Sequence, residues 1–150
     1  MKDLTMGDAV EPIWYGEMTL DVLRWAHEGT LTDVMGIEFT EVGPDFLRGR
    51  MPAEPRNFQP YGIIHGGASV VLAETLGSCG AAWSVNPKTH RAFGQEVNAN
   101  HLRPVSKGWV HGLARPVHRG RRSQVWTIDL TDDEGRPTCI SRLTMAVVEL

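Results

Sequence analysis

Residues 59–78 read QPYGIIHGGASVVLAETLGS, and Glu74 is the sole Asp, Glu, Lys or Arg among them. From Gly66 to about Val85 the chain is apolar or small through about five turns, which predicts a helix with no polar stripe. Such a helix is buried by protein on most sides. Taking an ionised carboxylate out of water is costly, so Glu74 must be paired, protonated, or turned toward a cavity where it has a task. Neither adjoining helical turn carries Lys or Arg. A pairing partner would have to come from a strand across the core, with Arg103 and Arg142 as the candidates; otherwise Glu74 is functional. Ser78, at i+4, shares its face or bonds back to the carbonyl of residue 74. Gly77 and Gly80 let another backbone or a ligand come close.

On the N-terminal side, Thr19 is a candidate N-cap for LDVLRWAHEG, a short peripheral helix ending near Gly29. MGIEFTEV and DFLRGRMPA, separated by the turn-like Gly43-Pro44-Asp45, read as a hairpin. After the break at Asn86-Pro87 come four strand-like segments: AFGQEVNANHLR, GWVHGLARPV, SQVWTIDLTD and TCISRLTMAVVEL. They are joined by Pro104 to Gly108, by HRGRR and by the hairpin turn Asp133-Glu134-Gly135. Two strands, one buried helix and four strands predict an α+β fold, an antiparallel sheet wrapped around a central, largely apolar helix. Residues 1–16 read as a tail or accessory segment and residues 17–150 as one domain.

A length of 150 residues suits a single domain with a real core. Cys79 and Cys139 lie in apolar segments without Cys-x-x-Cys spacing and read as small buried hydrophobes, which fits a reducing cytoplasm. The N-terminal MKDLTMGDAVEPIWYGE carries acids and a proline where a secretory signal needs an apolar core, and no apolar run reaches about 18 residues. The expectation is a soluble cytoplasmic protein with no membrane partner. A formal net charge of −3 gives no general attraction to nucleic acid. The six histidines show no paired ligand spacing with Cys or carboxylate, so no metal site is expected. The absence of a G-x-S-x-G elbow argues against a serine hydrolase.

His65-Gly66-Gly67 opens the long helix, where free N–H groups and the helix dipole favour negative charge. A carboxylate together with an N–H aimed at a developing oxyanion is the minimal equipment for acyl transfer to water. Gly66 and Glu74 are eight residues apart, about 12 Å along the axis at roughly 1.5 Å per residue. They cannot reach one carbonyl carbon. If both serve one reaction, the N–H comes from one chain and the carboxylate from a second chain whose helix runs antiparallel beside it, as in a two-fold dimer.

At these residues the chain resembles the hotdog-fold acyl-CoA thioesterases. It is most similar to the aryl-CoA branch, which includes 1,4-dihydroxy-2-naphthoyl-CoA hydrolases, the enterobactin-pathway proofreading thioesterase and 4-hydroxybenzoyl-CoA thioesterases. The likeness runs from about Thr19 to the C-terminus and rests on QPYGIIHGGASVVLAETLGS, GQEVNANHLRP and HRGRRSQVW. The resemblance implies that Glu74 is the nucleophile or general base and that the Gly66 N–H polarises the thioester carbonyl. It implies that Gln59 and His65 orient the thioester and that Ser78 holds the attacking water. It further implies that the CoA moiety is held by Gly94, by the strand end His101, Leu102, Arg103 and Pro104, and by the loop His118, Arg119, Gly120, Arg121, Arg122 and Ser123. Arg121 and Ser123 stand where Ser and His are commoner in similar proteins. The segment ARPVHRGRR also brings in Arg115, and guanidinium groups suit phosphate. Phe58, Tyr61, Val71 and Trp83 are candidates for an aryl pocket, or for ordinary core. The expected partner is a small-molecule acyl-CoA, with no cofactor, no metal and no nucleic acid. The expected assembly is a homo-oligomer, at least a dimer with shared sites and in full a dimer-of-dimers tetramer. A hotdog hydratase would need an Asp and His pair on a hydration motif that is absent. A non-catalytic acyl-CoA-binding regulator could keep the CoA loop without needing Glu74.

Overall fold

The computed structural model describes residues 10–150. Its elements run α1 (Leu20–His27), α2 (Leu31–Val34), β1 (Glu38–Val42), β2 (Leu47–Pro52), α3 (Gly66–Trp83), β3 (His90–His101), β4 (Trp109–Arg119), β5 (Ser123–Thr131) and β6 (Pro137–Glu149). The six strands pair antiparallel in the order β1-β2-β4-β5-β6-β3. One sheet carrying one long helix is the hotdog architecture of the α+β class, and the expected order of two strands, helix and four strands holds.

Local chemistry accounts for the elements. Thr19 accepts the Val22 N–H at 3.2 Å, Asp21 sits in the first turn of α1, and Arg24 and His27 sit in the last, all with the helix dipole. Helix α2 has four residues, too few to leave a periodic signature, and it is an element the sequence pattern did not reveal. Helix α3 stops at Trp83, two residues short of Val85, because Ser84 caps it and donates its hydroxyl to the Ala81 carbonyl at 2.9 Å. Gln124 then donates to the Ser84 hydroxyl at 2.9 Å, and the fully buried Trp126 donates to Gln124 at 2.8 Å. This chain of bonds closes the C-terminal end of the helix against the sheet.

The sheet cradles α3 because glycines let the two come together. Gly80 lies beneath the Trp126 ring, and Gly49 and Gly112 lie beneath Leu76. Leu72, Leu76, Trp126, Ile128, Leu130 and Leu143 are completely buried in the core so formed. The expectation of burial on most sides is met on one flank only. Gly67, Val71, Glu74, Thr75, Ser78 and Ala82 are half-buried or exposed. A single sheet covers one side of a cylinder, and among the described residues no other element covers the face that carries Val71, Glu74 and Ser78. Strand β3 is likewise paired on one edge, to β6, and the second edge of its twelve residues is unpaired among the described residues.

The described part of the N-terminal segment is docked. Ile13 and Tyr15 donate backbone N–H groups to the carbonyls of Pro44 and Trp83, and Trp14 stacks on Trp126 at 6.4 Å. Residues 1–9 lie outside the described residues.

A methyl group at Gly49 would sit 2.7 Å from Leu76 Cδ2 and 2.8 Å from the Glu38 backbone oxygen, and a backbone oxygen does not yield as a side chain does. Gly49→Ala is expected to cost about 1–3 kcal/mol, the usual range for overpacking, read as a lower midpoint of denaturant unfolding. An unshifted midpoint would mean that the β1–β2 pair opens without cost.

Candidate active site

The N-terminal end of α3 is held by a buried asparagine. Asn57 donates from Nδ2 to the carbonyls of Met35 and Pro52, each at 2.9 Å, and its own carbonyl accepts the His65 N–H at 2.9 Å. His65 is the N-cap, and its Nδ1 accepts the Gly67 N–H at 2.9 Å. With Nδ1 accepting, the neutral ring carries its proton on Nε2, which points a donor away from the helix. The N–H groups of Ala68 and Ser69 go to the His65 carbonyl at 2.9 and 3.3 Å. Gly66 is thus the first-turn residue whose N–H has no partner among the described residues. Its α-carbon faces the His101 ring, whose Nε2 stands 2.8 Å from where a Cβ would be, so a larger residue here would have to push that ring aside. Gly66 opens onto a cleft of about 430 Å³ whose walls include Gln59, His101, Leu102, Arg103 and Pro104.

Glu74 lies farther along α3. It is half-buried and has no ion-pair or hydrogen-bond partner among the described residues. Neither candidate arginine reaches it: Arg103 donates to the Pro137 carbonyl at 2.8 Å, and Arg142 is exposed on β6. The Glu74 carboxylate rests on Gly94, with Oε1 2.6 Å from the position a Cβ would take there. Strand β3 bulges between Gly94 and Glu96, a common device for setting backbone beside a site. Ser78 donates to the Thr75 carbonyl at a long 3.4 Å, not to residue 74, so its hydroxyl is weakly held on the open face of the helix.

Strand register separates the residues of the expected CoA site within one chain. His101 pairs with Cys139, which pairs with Leu130; Gly94 pairs with Met145, which pairs with Gln124, and Gln124 with Arg119. Seven residues of strand put the two rows about 20 Å apart. His101 to Pro104 therefore stand at the Gly66 end of the sheet. The loop His118 to Ser123 stands at the other end, with Gly94 and Glu74. Gly94 belongs with the acid and not with the strand end. Within the loop, the His118 ring folds over Gly120, whose N–H donates to the Ser123 carbonyl at 2.9 Å. Arg119 reaches the carbonyls of Ile13 and Ser84 at a long 3.5 Å. Arg121 and Arg122 are exposed and have no carboxylate partner among the described residues, whereas Arg115 is taken up by Asp45 at 2.9 Å and by the Phe46 ring. The basic cluster is thus one arginine smaller than the sequence suggests.

The thioesterase superfamily model matches residues 61–139, more than half of the chain. The chain belongs to that family. It is 46% identical over 136 residues to the proofreading thioesterase EntH of Cronobacter turicensis, covering 91% of this chain and 98% of that protein. It is 43% identical over 136 residues to the 1,4-dihydroxy-2-naphthoyl-CoA hydrolase of Escherichia coli, covering 91% and 99%. The crystal structure of a mutant thioesterase from Pseudomonas aeruginosa superposes with a TM-score of 0.90 at 43% identity, covering 92% and 99%. The protein is a thioester hydrolase. No cluster of metal-binding side chains occurs among the described residues, and no described helix is long and apolar enough to cross a membrane.

For this thioesterase, several placements were not legible in the sequence. Asn57 had no signal, because its work is to bond carbonyls of two other segments. Thr138, buried with an unpartnered hydroxyl, joins the Gly66 cleft from β6. Of the candidates for an aryl pocket, Phe58, Val71 and Trp83 pack partly buried against the core, while Tyr61 is 87% exposed.

Because the Glu74 carboxylate is the flexible end of a side chain, Gly94→Ala should displace it without disturbing the fold. Misplacing a catalytic group by about 1 Å can cost on the order of 100-fold, so kcat on an acyl-CoA substrate should fall by at least tenfold at unchanged melting temperature. Wild-type turnover in this variant would show that the carboxylate does not act from its place on Gly94.

Proposed function

We propose that this thioesterase hydrolyses aromatic acyl-CoA thioesters, with 1,4-dihydroxy-2-naphthoyl-CoA of menaquinone biosynthesis as first choice. Its sites are shared between two chains of a cytoplasmic homo-oligomer. The observation that carries this reading is a division of labour along α3: an unpaired N–H at Gly66, and eight residues on an unpartnered carboxylate at Glu74. Two helices related by a two-fold axis and laid antiparallel bring the Gly66 end of each beside the Glu74 of the other. The uncovered face of α3 and the unpaired edge of β3 are the surfaces such a pairing would cover.

In that arrangement Gln59 and the His65 Nε2–H orient the thioester, and the Gly66 N–H stabilises the oxyanion as the carbonyl carbon becomes tetrahedral. Glu74 of the other chain adds to that carbon, or takes a proton from a water that Ser78 holds and that adds in its place. The C–S bond then breaks and the CoA sulfur leaves as thiolate, to be protonated; where Glu74 itself adds, water then hydrolyses the acyl–Glu74 anhydride, which frees the acid and restores the carboxylate. Arg121 and Arg122, with His118, meet the CoA phosphates, and His101 to Pro104 and Thr138 wall the channel on the Gly66 side. The name of one curated relative, a 1,4-dihydroxy-2-naphthoyl-CoA hydrolase, supports an aromatic substrate; the name of the other, a proofreading thioesterase, supports the second reading, proofreading of aryl thioesters on a carrier protein. A 4-hydroxybenzoyl-CoA-like substrate fits the same chemistry. A purely binding role leaves Glu74 without a reason to be unpaired.

Hydrolysis rates over a panel of aryl-CoA and fatty acyl-CoA esters test the substrate. Aromatic esters, with 1,4-dihydroxy-2-naphthoyl-CoA first, should show the highest kcat/KM. A long-chain fatty ester in first place would overturn the assignment.

The shared site has its own test. Glu74→Ala and Gly66→Pro should each lose most turnover while circular dichroism reports an intact fold. A purified, non-exchanging hybrid of one chain of each kind carries one doubly defective site and one wild-type site, so its activity should return to about half of wild type. Hybrids as inactive as their parents would rule out a site built from both chains.

A further inference from the structure

A second and larger cleft, about 770 Å³, lies between α1, α2 and β1. Its polar floor is a cluster that the hydrolytic chemistry does not use. The half-buried His27 ring, tilted against Phe39, places Nδ1 3.1 Å from the Thr32 hydroxyl and Nε2 3.1 Å from Cys79 Sγ on α3. Burial lowers the His27 pKa below its usual value and pushes the Cys79 thiol up to about 12, so a neutral imidazole faces a neutral thiol. Cys79 follows Glu74 by five residues. On a helix of about 100° per residue it lies about 140° round from Glu74, roughly 9 Å away, with Val71, Thr75 and Ser78 on the uncovered face between them. An acyl group laid across that face from a thioester at Glu74 would extend toward the flank of α3 where His27 meets Cys79.

We propose that the His27–Thr32–Cys79 cluster is the specificity-determining end of the acyl site, and that His27 hydrogen-bonds a hydroxyl substituent on the acyl group. This rests on the aromatic acyl-CoA reading above and adds to it the residue that meets a ring hydroxyl. Thr32 occupies one ring nitrogen and can give or take a proton, so either tautomer of His27 is allowed. The thiol on the other nitrogen is a weak partner that a stronger one displaces. A hydroxyl both donates and accepts, and so suits Nε2 in either tautomer. A carboxylate only accepts, and it would enter a cleft lined by Asp21, Glu28, Asp33 and Glu38; Arg24 is 2.9 Å from Asp21 and Arg50 is 2.8 Å from Glu38, which leaves Glu28 and Asp33 with no ion-pair partner among the described residues. The remaining walls, Trp25, Ile37 and Phe39, suit an aromatic ring. When the substituent is missing, Cys79 keeps Nε2 satisfied. The penalty for a plain ring is then far smaller than where a site is left with unpaired polar groups.

The experiment compares kcat/KM for benzoyl-CoA, the three monohydroxybenzoyl-CoA isomers and 4-carboxybenzoyl-CoA. The best hydroxy isomer should exceed benzoyl-CoA by about tenfold, and the carboxy ester should fall below it. In His27→Leu the hydroxy-to-plain ratio should drop to about one, and His27→Gln, which keeps a donor and an acceptor, should retain part of it. The ratio cancels any general loosening of α1 from α3, which would slow both substrates alike. No isomer above benzoyl-CoA in the wild type, or an undiminished ratio in His27→Leu, overturns the proposal. Should His27→Leu fail to fold by circular dichroism, Thr32→Val takes its place. It should lower the ratio by a smaller factor, and an unchanged ratio there is equally fatal. Absence of hydrolysis across the whole panel would instead strike the thioesterase reading. Calorimetric binding of the same esters then decides for the cluster, which fails if no hydroxybenzoyl-CoA binds more tightly than benzoyl-CoA.

Discussion

A helix that is apolar on every side must be covered on every side, and the sheet covers one. The contact of α3 with the sheet depends on Gly80 beneath Trp126 and on Gly49 and Gly112 beneath Leu76, where an added methyl group would fall within 2.5–2.8 Å of a neighbour. That close approach buries Leu72, Leu76 and Leu143 completely and spends the sheet-facing side of the helix on packing. What is left over is the face that carries Glu74 and Ser78. The same constraint that makes the core therefore sets the chemical groups on the one surface where a substrate, or a second copy of the chain, can meet them.

Electrostatic resources are distributed along this helix and not gathered at one point. Its N-terminus offers a backbone donor that no internal acceptor satisfies, because His65 caps Gly67 and its carbonyl takes Ala68 and Ser69. Its middle offers a carboxylate that no cation among the described residues neutralises. Beyond its C-terminus, Arg121 and Arg122 have no carboxylate partner among the described residues, in a chain of net charge −3. Polar groups left open in this way are costly unless a ligand or a transition state completes them, and a fixed donor then needs no reorganisation at the moment of reaction. Eight residues of helix keep donor and acid about 12 Å apart along the axis, so in the proposed reading their cooperation calls for two chains.

The peripheral helices acquire a purpose from their contact with α3. α1 and α2 bring His27 and Thr32 to Cys79, and the cleft they form against β1 is larger than the one at Gly66. In the proposed reading, chemistry at the thioester and recognition at the far end of the acyl group are handled by residues of one helix five positions apart. A change in the peripheral helices can retune the substrate without touching the acid.

The order of strands and helices was legible because each element carries its own periodicity: alternation in the four C-terminal strands, an uninterrupted apolar run in α3, and Thr19 and Gly29 at the ends of α1. Glu74 and Gly66 were legible for the same reason, since a charge in an apolar helix and glycines at its start break a local pattern. Family resemblance added Gln59, His65 and the CoA loop. The sequence did not reveal α2, whose four residues are shorter than the period that would reveal it, nor the carbonyl that Ser78 chooses. The partner of Gly94 was hidden as well, because its contact with Glu74 depends on a bulge and on strand register. Nor could the chain foretell that Arg115 is claimed by Asp45, 70 residues away, or that His27 meets Cys79, 52 residues away. Local pattern reports what each segment must bury; which distant side chains meet depends on register and on how closely glycine lets the helix approach the sheet, and only the folded chain decides those.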